Sequence, residues 1–148
     1  MRNGSYKRGE KIFAPLPLFY WAFTINRGFN LRVIMKYSCA LKLNHVFRRL
    51  YHSASVANSF LVIYFRQNKT ETNRIGITVS KKLGHAVVRN RIRRRLREIY
   101  RLNEDLFCPG WDIVVVARSR CVDASFQNMS KAYLSLAAKA GILKEADQ

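Results

Sequence analysis

Acidic residues are scarce in this chain. Its 148 residues include nine Asp and Glu against 27 Lys and Arg, a formal net charge of +18. Beyond Glu10, the acids stand scattered at Glu71, Glu98, Glu104, Asp105, Asp112, Asp123, Glu145 and Asp147. Carboxylates so dispersed do not build the clustered metal sites of hydrolytic enzymes. His45, His52 and His85 lie at no spacing that suits zinc or pairs a base with a nucleophile. An enzyme working through its own side chains is therefore disfavoured.

Cysteine and proline are also thin. Cys39, Cys108 and Cys121 are odd in number and far apart, with no C-x-x-C pair. That excludes a disulfide framework and reads as reduced thiols in a reducing cytosol. Two of the three prolines, Pro15 and Pro17, interrupt the apolar cluster IFAPLPLFYWAFTI at 12–25. No apolar run reaches the roughly 18 residues of a membrane span. Lys7, Arg8 and Lys11 precede this cluster and Arg27 follows it, in the manner of a signal peptide. The prolines break the apolar region, however, and no small-residue cleavage site follows. Residues 1–34 are expected to be a poorly ordered extension, or sequence translated ahead of the usual start. Met35 is the alternative start, and 35–148 the organised domain.

What the chain does have is a core and a charge. Apolar residues make up 49% and aromatics 12%, enough for one folded domain. The charge points to a polyanionic partner, nucleic acid first and anionic membrane second.

Residues 41–52 (LKLNHVFRRLYH) place Leu43, Val46, Phe47, Leu50 and Tyr51 at helical spacing. Residues 58–66 and 74–80 read as strands joined by a polar hairpin loop, QNKTETN. Pro109-Gly110 launches a third strand at 111–117, almost continuously apolar. A helix over about 124–140 is capped by Asp123 or Ser125 and ended by Gly141, with Phe126, Met129, Tyr133, Leu136 and Ala140 on one face. With a helix at 85–103, the order is α-β-β-α-β-α. The fold class is α+β: an α-β sandwich with a mixed sheet of four strands or fewer and helices packed on it.

The helix at 85–103 holds the densest charge. In RNRIRRRLREIYR (89–101), seven of thirteen residues are arginine and only Glu98 is acidic. At about 100° per residue, Val88, Ile92, Leu96 and Ile99 fall within roughly 80° of one another. That stripe must face the sheet. Arg93, Arg97, Asn90, Arg101 and Arg94 take the opposite face, with Arg89, Arg91 and Arg95 on the flanks. A solvated face usually mixes Glu with Lys, since like charges at i,i+4 destabilise. Here Arg89, Arg93, Arg97 and Arg101 stack at i,i+4 with no acid among them, and only Arg94 and Arg101 can lean on Glu98. Arginine offers phosphate a bidentate fork. Just upstream, Lys81 and Lys82 leave a strand and Gly84 permits the turn into the helix, whose free N–H groups can also receive a phosphate.

The run VSKKLGHAVVRNRIRRRLRE (79–98) resembles the signature of the bacterial ribonuclease P protein component: a strand ending in S-K-K, a Gly turn, then an R-N-R helix. The resemblance extends over about 36–143. It implies the protein subunit of a ribonucleoprotein endoribonuclease that removes the 5′ leader from precursor tRNA. The RNA carries out hydrolysis with Mg²⁺, bound mainly by the RNA. The protein binds the catalytic RNA, 1:1, and the leader, raising substrate affinity and lowering Mg²⁺ demand. The resemblance assigns Lys81, Lys82, Arg89, Asn90, Arg91, Arg93, Arg94 and Arg97 to the catalytic RNA or to organising nearby metal. Asn90 would bond a phosphate or a metal-bound water, or fix its arginine neighbours. Phe47 and Tyr51, with a first-strand aromatic (Phe60, Tyr64 or Phe65), would line the leader cleft between the first helix and the sheet, where stacking tolerates any base. No catalytic or metal-binding side chain is assigned to the protein. A left-handed strand–helix–strand crossover is implied, against the general rule, as are a cytoplasmic location and no membrane partner.

A structural, ribosomal-type RNA binder would share the basic helix but not the SKK–Gly–RNR spacing. A DNA-reading helix would carry more Asn, Gln or Ser beside its arginines. Residues 81–101 hold nine cations and one acid. If about six to eight of these meet duplex phosphates, a salt titration of RNA binding should give a log–log slope of roughly −5 to −7.

Overall fold

A computed structural model describes residues 35–145; the expectations for residues 1–34 lie outside the described residues. Five strands and three helices follow one another as β1 (Ser38–Ala40), α1 (Asn44–Leu50), β2 (Ala54–Ala57), β3 (Leu61–Gln67), β4 (Asn73–Thr78), α2 (Ala86–Leu102), β5 (Trp111–Ala117) and α3 (Phe126–Lys139). The sheet order is β1-β4-β5-β3-β2. β1–β4 and β4–β5 are parallel, while β5–β3 and β3–β2 are antiparallel. The sheet is mixed, as the sequence implies, but it has five strands rather than four or fewer. The two missed strands are its edges. Each is only three or four residues long, and β2 (ASVA) is built of small, mostly exposed residues that carry little β signal. Short edges also limit unwanted strand pairing.

Two boundaries move for local reasons. The run at 58–66 is not one strand, because the Asn58 side chain accepts from the N–H groups of Phe60 (2.9 Å) and Leu61 (2.8 Å) and makes a turn between β2 and β3. The QNKTETN loop is not a hairpin loop, because β5 lies between β3 and β4. That loop instead crosses the start of β5. Asn68 N–H donates to the Gly110 carbonyl at 2.9 Å. Gly110 has φ 87, and a Cβ there would meet the Thr70 carbonyl oxygen at 2.6 Å, so glycine is required twice over.

Helices pack on both faces of the sheet. On one, Leu61, Ile63, Ile75, Ile113 and Val115 pack against Ile92, Leu96, Ile99 and Tyr100 of α2 and Met129, Tyr133 and Leu136 of α3. Ile99 and Leu96 are fully buried and Val88 is half-buried, as the helical wheel requires. Ser125 caps α3, its Oγ accepting from Asn128 N–H at 3.2 Å; Asp123 stays exposed. Gly141, at φ 69, follows the helix end. On the other face α1 lays Val46 and Leu50 against Val114. Leu43, expected on that apolar stripe, precedes the helix and is exposed.

β1 is held by side chains as well as by its ladder. Buried Glu104 accepts from the backbone N–H groups of Lys36 and Tyr37, both at 2.8 Å. Ser38 Oγ and Tyr100 Oη share a 2.7 Å hydrogen bond. Glu104→Ala leaves both amides without that acceptor and should cost about 1–3 kcal/mol. Hydrogen exchange should then quicken at Lys36 and Tyr37 while α2 amides stay protected.

Candidate nucleic-acid interface

The basic surface starts where β4 ends. Residues Lys81–Leu83 form one tight helical turn, with Ser80 Oγ accepting from Lys82 N–H at 3.3 Å. Gly84 takes φ 131, which an L side chain would resist, and the chain turns directly into α2. Lys81 and Lys82 are exposed. No side chain caps the start of α2, so its first-turn amides have no side-chain acceptor.

Along α2 the arginines are not equivalent. Arg101 makes a bidentate pair with Glu98, at 2.5 and 2.9 Å. That hydrogen bond holds the Glu98 carboxyl below its usual range. Arg94, also expected to lean on Glu98, has no partner among the described residues. Arg95 donates to the Ala124 carbonyl at 2.8 Å and Arg91 to the Val122 carbonyl at 3.4 Å, so these two flank arginines tie the helix to the segment before α3. Arg93 donates to Asn90 Oδ1 at 3.0 Å. Asn90 thereby fixes an arginine neighbour. Arg89 is half-buried, and its Nε is a buried donor with no partner among the described residues. Lys81, Lys82, Arg94 and Arg97 carry charge with no ion pair among the described residues. From Arg89 to Arg97 the helix advances about 12 Å, so the cations form a band rather than a point.

The aromatic residues divide between the two faces. Phe47, Tyr51 and Tyr64 gather on the α1 face. Tyr51 and Tyr64 meet edge to face with ring centroids 5.2 Å apart. Tyr51 Oη and Thr78 Oγ1 share a 3.0 Å hydrogen bond. Phe47 lies over Gly76, where a Cβ would sit 2.6 Å from its ring. The ladder register puts Gly76, Val114 and Tyr64 in one row across the sheet, and Thr78, Val116 and Val62 in the next. Phe60 and Phe65, two of the three first-strand candidates, instead pack with the main core. Phe65 leans on Trp111 with centroids 5.9 Å apart, and Arg120 lies over the Phe60 ring at 5.5 Å. Adjacent strand residues point to opposite faces, so Tyr64 and Phe65 cannot share a cleft. Gly76 was missed as a site residue, although a glycine inside a strand marks a close approach.

The family model described as Ribonuclease P matches residues 35–141. The chain belongs to the ribonuclease P protein family. It is 43% identical to the ribonuclease P protein component of Alkaliphilus oremlandii, over 76% of this chain and 99% of that one. For the component from Clostridioides difficile the identity is 45%, over 69% and 91%. Among solved structures it resembles the Staphylococcus aureus RNase P protein, with a TM-score of 0.67 at 34% identity, covering 74% of this chain and 99% of that one. The Thermotoga maritima RNase P protein gives a TM-score of 0.62 at 32% identity, covering 66% and 93%. The matched stretch of this ribonuclease P protein contains both the basic helix and the aromatic face.

Gly76→Ala should push the Phe47 ring off β4 and destabilise the fold by about 1–3 kcal/mol. In a Phe47→Ala background the same substitution should cost much less. Urea unfolding of the four proteins of this cycle reads the coupling; equal costs in both backgrounds would show that the ring and the glycine do not meet.

Proposed function

We propose that this chain is the protein subunit of the ribonuclease P ribonucleoprotein, which removes the 5′ leader from precursor tRNA. On this reading the protein has two RNA surfaces and no catalytic side chain. The Lys81–Lys82 turn and the outward cations of α2 bind the catalytic RNA, one protein per RNA. The Phe47–Tyr51–Tyr64 cleft takes unpaired leader bases by stacking, which is sequence-tolerant. The single observation that carries the proposal is the Tyr51–Thr78 hydrogen bond. It fastens the aromatic cleft to the strand that becomes, two residues later, the Ser80-Lys81-Lys82 turn. Substrate and catalytic RNA would therefore meet along one continuous edge.

Among the described residues no three His, Cys, Asp or Glu side chains gather to hold a metal ion. On this reading Mg²⁺ is bound mainly by the RNA, and no protein step runs through it. Among the described residues no helix is long and apolar enough to cross a membrane. The proposed location is the cytoplasm, where its substrate would be made.

The full chain, added to a bacterial ribonuclease P RNA, should lower the Mg²⁺ needed for precursor cleavage and raise affinity for precursor over mature tRNA. Phe47→Ala should weaken precursor binding about ten-fold and leave mature tRNA binding unchanged, in line with the loss of one stacking contact. Arg94→Ala should weaken assembly with the RNA subunit about ten-fold, in line with the loss of one charge-assisted contact. Identical effects from both variants on both readouts would undo the two-surface proposal.

A further inference from the structure

Arginines in this fold are held in two ways. Arg74 and Arg101 each meet a carboxylate, Asp112 and Glu98, which compensates their charge locally. Four others are held by groups that carry no charge. Arg95 donates to the Ala124 carbonyl at 2.8 Å and Arg91 to the Val122 carbonyl at 3.4 Å. Arg118 Nη1 donates to the Asn58 carbonyl at 2.8 Å, and the Arg120 guanidinium lies over the Phe60 ring at 5.5 Å. None of the four has an ion-pair partner among the described residues. Each therefore keeps its full charge while its position is fixed. A guanidinium has five N–H donors, so one bond to a carbonyl leaves most of them for a ligand. The ground beneath them is firm. Residues 118–122 make one tight turn, with Cys121 N–H donating to the Arg118 carbonyl at 3.0 Å and Val122 N–H to that of Ser119 at 3.1 Å. The Phe60 carbonyl ties this turn down, accepting from Arg118 N–H at 2.8 Å and from the buried Cys121 thiol at 3.0 Å. Asn58 is fixed in turn, its Nδ2 donating to the Ala132 carbonyl of α3 at 3.0 Å. β4 and β5 run parallel with Thr78 opposite Val116, so the Lys81–Lys82 turn and the Arg118–Arg120 turn leave neighbouring strands at the same end of the sheet. Asp123, exposed, is the only acid from residue 113 to residue 144.

We propose that Arg91, Arg95, Arg118 and Arg120 form a second docking surface for backbone phosphates of the catalytic RNA, on the α3 side of α2; the inference rests on the catalytic-RNA reading given above. Cations gathered with so little acid repel one another. Phosphates relieve that repulsion and accept the unused N–H groups in the forked geometry that arginine offers. Holding each guanidinium by a neutral group also lowers the ordering cost that a ligand would otherwise meet. Position selects the RNA subunit over the leader. Phe60, Val122 and Phe126 pack against the core shared by α2 and α3, whereas Phe47 and Tyr64 pack against the core under α1. The sheet lies between the two, so this surface is separate from the aromatic cleft. It is continuous instead with the outward arginines of α2, because Arg94 and Arg95 are neighbours in the chain and about 100° apart around the helix. The catalytic RNA is thus held on two sides of α2, by Arg94 and Arg97 on the outside and by the four tethered arginines on the flank. An RNA lying only along the outside of α2 would leave the flank untouched.

The test uses the full chain and a bacterial ribonuclease P RNA. The Arg118→Gln/Arg120→Gln double variant, altered at two exposed side chains, should assemble with the RNA about ten-fold more weakly. Its salt dependence should be shallower by about one to two log–log units. Once the complex is saturated, its preference for precursor over mature tRNA should match the wild type, since the leader cleft is untouched. A Lys139→Gln/Lys144→Gln variant, with the same charge loss at the far end of α3, should lose about two-fold at most. A second readout needs no variant. Arginine-selective dicarbonyl modification, followed by mass spectrometry, should label Arg118 and Arg120 in the free protein and spare them once the RNA subunit alone is bound. Equal losses in the two double variants, no loss in the arginine variant, or labelling unchanged by the RNA subunit would overturn the flank surface. Protection that arises only after precursor is added overturns it too, since the phosphates would then be the substrate's. Should the wild type itself fail to bind the RNA subunit, the catalytic-RNA reading falls and this inference with it. A wild type that assembles and is weakened by Arg94→Ala, beside an arginine double variant that matches it, overturns the flank surface alone.

Discussion

The packing of Ile92, Leu96, Ile99 and Tyr100 onto the sheet is the contact on which the rest of the molecule depends. These four side chains are essentially removed from water. Each contributes about 1.5–3 kcal/mol by burial, whereas each like-charged i,i+4 pair on the outer face costs a few tenths. Burial wins by a wide margin, so a helix with seven arginines in thirteen residues is stable in spite of its charge. The same contact sets direction. With the apolar stripe against β4 and β5, Arg94 and Arg97 have only the outside to occupy, and Arg91 and Arg95 reach sideways to the carbonyls before α3. The arginines look redundant in sequence, but in the fold they separate into cations that fasten the helix and cations with no ion pair among the described residues.

The two faces of the sheet carry different duties for a physical reason. The face under α2 and α3 is covered by two long helices and is dry. The other face receives only the seven-residue α1, which cannot span it. What α1 leaves uncovered is a partly open surface, and the residues there are Tyr64, Tyr51, Phe47, Thr78 and the Arg66–Asp112–Arg74 row. Gly76 lets Phe47 come down onto the sheet, so the cleft has a firm floor rather than a loose flap. Glu104 holds Lys36 and Tyr37, just ahead of β1, and Tyr100 holds Ser38, its first residue, at the edge beside β4.

Much of this was legible in advance. α2, β5 and α3 came out close to their expected positions because each carries a long periodic or continuous apolar pattern. The basic turn at Ser80-Lys81-Lys82 and the resemblance it carries were legible because they are contiguous in the chain. The edge strands were not, since three or four small residues hold no periodic signal. Nor was the insertion of β5 between β3 and β4, because a polar loop of the same composition can close a hairpin or bridge over a third strand. Phe60, Tyr64 and Phe65 could not be assigned to one face of the sheet or the other until the register of β3 against β5 was known. Their facing is a matter of parity, and one residue of slip reverses it.

The amino-acid sequence alone determined the strong positive charge, the amphipathic character of α2 and the family, since charge, helical period and the SKK–Gly–RNR spacing are all local properties. Tertiary structure decided which aromatics share a surface, which arginines have no ion pair among the described residues and where Arg49, Arg66, Lys69 and Arg74 converge. These last four come from one helix, two strands and a loop. Their meeting follows from long-range strand pairing, and no stretch of the chain records it.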